Sequence, residues 1–499
     1  QGMRFESTRR EERKYGFREA VLCGYAADGG MLVPEHFPAV PRALLLEWCG
    51  AGAAPGLYQR LCGEVLAMFV DEEEMSKAEL DAVFAAAFSG FRCEDVVAIS
   101  KCGDVGASDG DTRILELFHG PTFAFKDLGL QFIGGLFDFL LGQQRKESGE
   151  EGKVNILVAT SGDTGSAAIQ CVKEKAGIEI FVLYPGNGVI SDLQERQMNT
   201  ELAANVHCVC IDGTSDDADV VLRECFDDTP FRTKHRLTSI NSVNIARVLL
   251  QVVHYFYAYA ATFTGLSLEE NEELPLLQIA LPCGGFGNGV SAYIAKQMGL
   301  PLAPLAMGVN QNDALHSFFS KGELAAQGSV RPSCSPSMDI QIPYNVERLL
   351  YFLTGRDGAA VETWMRGLYD EDTPIKLSAD LLASVQEFGN VTSVGEAKTK
   401  ATIAAFRKEA AYWLDPHTAV AIAAAQLQGL TAKAEPVIAV GTAHPAKFFE
   451  TIEEATGEKM PLPDELSCLF TKEKRFVHFA KADQAAWGAS LRDIIQAAN

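Results

Sequence analysis

The sequence predicts an α/β protein with parallel sheets flanked by helices, together with a mostly helical N-terminal region. Three observations predict it. Short runs rich in Val, Ile and Leu are each followed by a turn of small residues and then by a helical pattern, and this order recurs along the chain. Strands and helices alternating at that spacing imply parallel sheets with right-handed crossovers. The 499 residues exceed one ordinary core, so two to four domains are expected. With 47% hydrophobic and 22% charged residues, the composition is that of a globular protein.

Residues 3 to about 95 read as mostly helical. Within them "GYAADGGMLVPE" is a turn-rich segment where Gly29 and Gly30 break any helix, and "SKAELDAVFAAAFSGF" has helical periodicity. "TRILELF" (112–118) is a strand candidate that leads into "HGPTFAFKDLGLQF" (119–132). Strand–turn–helix units follow in "KVNILVATSGDTGSAAIQ", "IEIFVLYPGNGVISDLQERQM", "NVHCVCIDGTSDDADVVLRECF" and "RLTSINSVNIARVLLQ". "LLQIALPCGGFGNGVSAYIAKQMG" (276–299) is a fifth and "PVIAVGTAHPAKFFETIEEATG" a sixth. Between these two, residues 300–430 read as large helix-rich insertions.

The formal net charge of −23 repels nucleic acid and anionic membranes, so neither is an expected partner. A phosphorylated ligand needs a local positive site to overcome that field. The twelve cysteines are scattered, with Cys208 and Cys210 the only tight pair, and no Cys/His spacing suggests zinc; no metal is expected. They read as free thiols of a reducing, cytoplasmic compartment. No 18-residue apolar run marks a membrane span, and the N-terminal segment lacks an apolar signal core. Gln1 and Gly2 ahead of Met3 read as additions to the natural start.

Ligands of parallel α/β sheets bind where strand ends turn into helices. Lys126 stands among Phe123, Phe125, Leu128 and Leu130 with Asp127 beside it. Read alone, it is either a lysine whose ammonium snorkels to water or a desolvated amine with a lowered pKa that acts as a nucleophile. In "LPCGGFGNGV" (281–290), Gly284, Gly285 and Gly287 ahead of a helix form either a tight packing turn or a phosphate cradle. It is neither a dinucleotide fingerprint nor a P-loop. "ATSGDTGSAA" (159–168) offers Ser161, Asp163 and Thr164 as helix caps or as donors for a carboxylate. "SINSVNIAR" (239–247) sets Asn241, Ser242 and Asn244 near Arg247, which suits an oxyanion or a capped helix with a solvated arginine. "VGTAHPAKFFE" (440–450) places Thr442 and His444 at another strand end, where the histidine reads as structural. A lysine combined with a phosphate loop meets the requirement of pyridoxal phosphate, which needs a Schiff base and an anchored phosphate.

The ordered motifs "STRREERKYGFREAVLCGYAADGGMLVPE", "LELFHGPTFAFKDLGLQF", "ATSGDTGSAA", "NSVNIARVLLQVVHYF", "FGNGVSAYIAKQMGLP", "SPSMDIQ", "NVERLL", "DPHTAV" and "TAHPAKF" resemble those of threonine synthases of the longer bacterial and fungal form, over nearly all of residues 3–460. The resemblance implies the tryptophan-synthase β-like fold, fold type II of pyridoxal-phosphate enzymes, and a carbon–oxygen lyase of threonine biosynthesis. It implies an N-terminal domain over 1–95 and a large cofactor-binding domain over 96–149 and 241–499, with a smaller α/β lid over 150–240. By residue, Lys126 matches the lysine that holds pyridoxal 5'-phosphate as an aldimine, and Gly284, Gly285, Phe286, Gly287 and Asn288 match the loop around the cofactor phosphate. Thr442 matches the hydroxyl facing the pyridine nitrogen. Ser161, Gly162, Asp163 and Thr164 match the turn over the cofactor ring and the substrate carboxylate, and Asn241, Ser242 and Arg247 match the group binding the substrate phosphate. The implied reaction converts O-phospho-L-homoserine and water to L-threonine and phosphate in a monomer or homodimer. The chain departs from the family pattern S/T-G-N-F-G-N at Cys283 and Gly285, reads "STRR" for "STRG", and reads "YNVERLL" for "SNFERLL". The loop departure keeps open an alternative, a threonine-synthase-like phospho-lyase that yields 2-oxobutyrate from the same substrate.

Overall fold

The computed structural model describes residues 2–52, 54–103, 105, 110–149, 153–326, 328–431 and 435–498. Gln1 and the proposed lid boundary at 150–152 therefore lie outside the described residues.

Two sheets organise the chain. The larger has six strands in the order Gly389–Ser393, Leu305–Val309, Gln278–Pro282, Val437–Gly441, Thr112–Glu116 and Ala98–Gly103. All pairs are parallel except the last, where Ala98–Gly103 runs antiparallel along the edge. The smaller sheet is parallel throughout, in the order Val477–Phe479, Val206–Ile211, Ile178–Pro185, Val154–Ala159 and Leu237–Thr238. The central strands of both sheets are buried along their length, which explains their continuous apolar runs.

Two features depart from the sequence reading. The stretch 300–430 is rich in helix but also supplies two strands of the larger sheet, Leu305–Val309 and Gly389–Ser393. The chain end crosses back, so Val477–Phe479 joins the smaller sheet and the Trp487–Ala498 helix packs on Ser215–Asp227, although the sequence places 241–499 in the large domain. Apolar contact drives that return, because Phe479, Trp487, Leu491 and Ile495 share one buried cluster with Leu157, Phe181 and Val209.

The N-terminal region holds the helices Phe17–Cys23, Arg42–Ala51, Leu57–Ala67 and Lys77–Phe88 and a small antiparallel pair, Phe5–Ser7 with Leu32–Pro34. Ser76 starts the Lys77–Phe88 helix with a capping box closed by Glu79. The Ile245–Thr262 helix is buried on nearly every face, as its sequence IARVLLQVVHYFYAYAAT dictates. It packs on the Leu57–Ala67, Lys126–Ser148 and Gly287–Gln297 helices and so joins the N-terminal region to the site-bearing elements. Among the described residues, no helix is long and apolar enough to cross a membrane.

Candidate active site

The carboxyl ends of five strands from both sheets open on one cavity of about 830 Å³. Lys126, Ser161, Asp163, Thr164, Asn241, Ser242, Arg247, Thr442 and all of Gly284–Asn288 line it. The five turns, distant in sequence, are brought together.

Lys126 opens the helix Lys126–Ser148, and hydrogen bonds fix the turn before it to the 442–444 segment. The Phe125 N–H donates to the Thr442 carbonyl at 2.8 Å, and the His444 N–H donates to the Phe123 carbonyl at 2.9 Å. Asp127 is buried and accepts from the Thr122 N–H and hydroxyl, both at 2.7 Å, which closes the turn from within. Lys126 does not snorkel: burial pushes its amine down to about 8, against the attraction of Asp163, whose Oδ2 lies 3.8 Å from Nζ. A neutral amine facing a cavity can act as a nucleophile and as a base.

Asp163 begins the Asp163–Val172 helix. Its predecessor Gly162 has φ +128°, a backbone state that favours glycine, and an added Cβ there would meet the Gln194 side chain. Capping of this turn comes from Thr160, whose Oγ1 accepts from the Gly162 and Gly165 N–H groups at 3.0 Å each, and not from Ser161 or Thr164. The Ser161 and Thr164 side chains are thus not spent on the helix start. Asp163 itself accepts from Lys447 Nζ at 2.6 Å, Gln194 Nε2 at 2.9 Å and Ser337 Oγ at 2.7 Å. Burial alone would raise its pKa, but Lys447, Lys126 and His417 outweigh it and hold the carboxyl well below the usual range.

Phe286, at φ +65°, turns the Gly284–Gly287 loop into the Gly287–Gln297 helix. Asn288 in its first turn accepts at Oδ1 from His254 Nε2 at 2.9 Å and from the Tyr255 hydroxyl at 2.7 Å. Its Nδ2 is left buried without a partner on the cavity wall. A buried unpaired donor costs about 1–3 kcal/mol, so an acceptor belongs there. Gly285 leaves no room for a side chain: an added Cβ would sit 2.9 Å from Cζ of Tyr344. The Tyr344 hydroxyl in turn shares a hydrogen bond with Ser242 Oγ at 2.8 Å. Cys283 is buried and free, and burial pushes its thiol far up, so it adds no charge.

Arg247 is 2% exposed, so the solvated-arginine reading fails. Its Nη1 donates to the Ile240 carbonyl at 3.3 Å, and among the described residues its Nε has no partner and no carboxylate lies within ion-pair distance. Burial pulls its guanidinium down to about 10. Asn241 Oδ1 and Gln251 Oε1 on the same cavity are also unpaired. Asn244 proves to be the cap of the Ile245–Thr262 helix, accepting from the Ala246 N–H at 3.1 Å. His444 is structural, with its Nδ1 accepting from the Ala446 N–H and its ring against Phe118 and Phe123. His119, for which the sequence offers no role, pairs with Glu116 at 2.9 Å.

Sequence reasoning missed Lys447, Ser337, Gln194 and Tyr344. The motifs "TAHPAKF", "SPSMDIQ" and "YNVERLL" contained three of them, but no local spacing ties them to Asp163 or Ser242. The donor set fits a phosphorylated, lysine-bound cofactor: an amine whose pKa burial lowers to about 8, a glycine loop in which an added Cβ at Gly284 or Gly285 would come within 2.9 Å of its neighbours, and an unpaired buried amide on the same cavity.

Comparison with known proteins agrees with this fit. The family model "Threonine synthase N terminus" matches residues 4–88, "Pyridoxal-phosphate dependent enzyme" matches 115–442 and "Threonine synthase, C-terminal" matches 418–489. The threonine synthase of Eremothecium gossypii is 35% identical over 507 residues, covering 96% of this chain and 95% of its own. Human threonine synthase-like 2 is 34% identical over 495 residues, covering 99% and 97%. The crystal structure of pyridoxal-phosphate-bound threonine synthase from Brucella melitensis superposes with a TM-score of 0.85 at 32% identity, covering 100% of this chain and 99% of that one. The fold is therefore type II and the cofactor is pyridoxal phosphate. A likeness that runs over nearly the whole chain makes it a member of the threonine synthase family of pyridoxal-phosphate-dependent carbon–oxygen lyases.

Proposed function

We propose that the chain converts O-phospho-L-homoserine and water to L-threonine and phosphate. The observation that carries this reading is a buried cation: Arg247 lies on the same cavity as Lys126 and, among the described residues, has no carboxylate within ion-pair distance, which supports a second anion site beside the loop that would hold the cofactor phosphate. A lyase acting on an unphosphorylated amino acid has no use for it. In the reaction the Cγ–O bond breaks with its electron pair leaving on phosphate, Cγ gains a proton, and Cβ exchanges a proton for the hydroxyl of water. Pyridoxal phosphate, when bound, supplies the electron sink that makes protons on the substrate carbons removable.

The chain's own residues do the rest. Lys126 Nζ is the group that would hold the cofactor, and its amine would take protons from the substrate and return them. Gly284, Gly285, Phe286, Gly287 and Asn288 hold the cofactor phosphate through backbone donors and Asn288 Nδ2. Thr442 offers the ring nitrogen a neutral hydroxyl; without a carboxylate partner the ring is a weaker sink, which suits elimination and replacement. Ser161, Thr164 and the helix start at Asp163 hold the substrate carboxylate. Asn241, Ser242 and Arg247 hold the substrate phosphate. The 150–240 unit acts as the lid, since it brings Ser161–Thr164 over a lysine carried by the other sheet. Twelve unpaired cysteines support a cytoplasmic location. The assembly we propose is a monomer or homodimer.

A second reading, the phospho-lyase that releases 2-oxobutyrate, ammonia and phosphate, is favoured by one observation: at 283 and 285 the loop offers no polar oxygen or amide side chain. Incubation of the cofactor-loaded protein with O-phosphohomoserine decides between them. Threonine formed in equal amount to phosphate supports the first reading. Phosphate with 2-oxobutyrate and no threonine overturns it in favour of the second, and absence of phosphate release overturns both.

A further inference from the structure

Nothing in the reaction outlined above uses Lys447, yet it is among the most deeply buried cations of the molecule, with no measurable exposure. Its ammonium has two acceptors, Asp163 Oδ1 at 2.6 Å and the Thr122 carbonyl at 3.0 Å. Those acceptors belong to different halves of the site. Thr122 lies in the turn that presents Lys126, and Asp163 starts the helix that covers it from the smaller sheet. Burying a lysine is costly unless its charge is compensated, and here Asp163 is shared by two lysines, because Lys126 Nζ stands 3.8 Å from its Oδ2.

We propose that Lys447 is a positioning residue: fixed on Thr122 and paired with Asp163, it prevents Asp163 from becoming the sole partner of the Lys126 ammonium and so keeps the Lys126 amine free to react. Without it, an unshared buried carboxylate would pair with Lys126 and favour its protonated form, which is neither nucleophile nor base. The charged groups facing Lys126 are Asp163, Arg247 and Lys447; those facing Lys447 are Asp163 and Asp127, with His417 beyond Asp163. Burial, then Arg247 and Lys447, push Lys126 down, and only Asp163 pulls it up. The same pairing would matter with the cofactor bound: Lys447 would keep Asp163 paired whatever the state of Lys126. The inference rests on the reading that Lys126 is the reactive amine.

The test uses the cofactor-free protein and reads Lys126 directly. Brief acetylation with acetic anhydride, in which the neutral amine attacks the carbonyl and acetate leaves, is followed across pH by mass spectrometry of the Lys126 peptide. The wild-type midpoint is expected near pH 8. Lys447→Gln keeps a donor but removes the charge, and is expected to raise the midpoint by about one unit, so that labelling at pH 7 is about tenfold slower. Lys447→Arg restores the charge and the wild-type midpoint. Asp163→Asn supplies a second arm, and is expected to lower the midpoint even if Lys447→Gln does not fold. An unmoved midpoint in folded Lys447→Gln overturns the proposal, as does an arginine variant that shifts as far as glutamine. A midpoint that stays or rises in Asp163→Asn also overturns it. Failure of the product assay would leave these midpoints untouched, so the two readings fail separately.

Discussion

Replacing Arg247 by methionine separates what this side chain does for the fold from what it does for a ligand. The guanidinium is 2% exposed and, among the described residues, has an unpaired Nε and no carboxylate within ion-pair distance. Burial pulls its pKa from the ordinary arginine range to about 10. Each pKa unit is worth about 1.4 kcal/mol, so carrying the charge into the folded state costs about 3 kcal/mol at pH 7. The sign follows from the direction of the shift. The folded value lies below the unfolded one, so the unfolded chain holds the proton more tightly and the penalty is full at every pH below about 10. Methionine keeps the apolar stem and removes the charge, and Arg247→Met should therefore stabilise the protein by about 1–3 kcal/mol.

Denaturant unfolding of the cofactor-loaded protein at pH 7, with and without inorganic phosphate, measures both halves of that statement. On the proposed reading, cofactor loading fills the Gly284–Asn288 loop, so added phosphate reports on the second site alone. The wild type should gain about 2.7 kcal/mol at a phosphate concentration one hundred times its dissociation constant, and Arg247→Met should gain nothing. A variant less stable than wild type in the absence of phosphate would refute the idea that Arg247 is an uncompensated charge. Equal gains from phosphate in both proteins would refute its place in an anion site.

Two further outcomes follow from other parts of the cavity. Gly285→Asn drives a Cβ to 2.9 Å from Tyr344 Cζ and should cost about 1–3 kcal/mol, whereas the same change made together with Tyr344→Ser should cost little relative to Tyr344→Ser alone; thermal unfolding of the four proteins checks it, and additive effects would deny the contact. Cofactor uptake by the cofactor-free protein, followed by the visible band of the lysine-bound form, should quicken about tenfold per pH unit up to about pH 8 and level off above, since burial sets the Lys126 amine there; a flat profile between pH 6 and 9 would count against Lys126 as the reacting amine. The same depressed value makes Lys126 a group whose penalty on the folded state is full below about pH 8 and fades as pH rises from there toward the ordinary lysine range.

The strand-end turns were legible because their chemistry is local. A buried parallel strand reads as a continuous apolar run, and the small or polar residues after it mark the ligand-facing end. Gly389–Ser393 escaped notice for the converse reason: as an edge strand its NVTS core is partly exposed and carries no apolar run. Val477–Phe479 is a three-residue strand whose partner lies far back in the chain, so only tertiary packing reveals it. Within the site, Lys447, Ser337 and Gln194 meet at Asp163 from three separate segments, and no spacing within any one of them predicts the meeting.

The departures from the family pattern at 285 and 344 belong to this second class, and joining them changes their meaning. Taken singly, glycine at 285 reads as a lost polar ligand and tyrosine at 344 as an unrelated substitution. In the fold the two are one packing unit: the space a side chain at 285 would need is filled by the Tyr344 ring, and Asn345, next along, donates from its N–H and Nδ2 to the Gly285 carbonyl at 3.1 and 3.0 Å. The tyrosine also brings a polar group beside the loop, since its hydroxyl meets Ser242 Oγ at 2.8 Å on the wall shared with Arg247. The loop is therefore not a degraded phosphate cradle. Its glycine backbone and the unpaired Asn288 Nδ2 remain available for the anion proposed there, and the Tyr344 hydroxyl stands on the Ser242 side of the cavity.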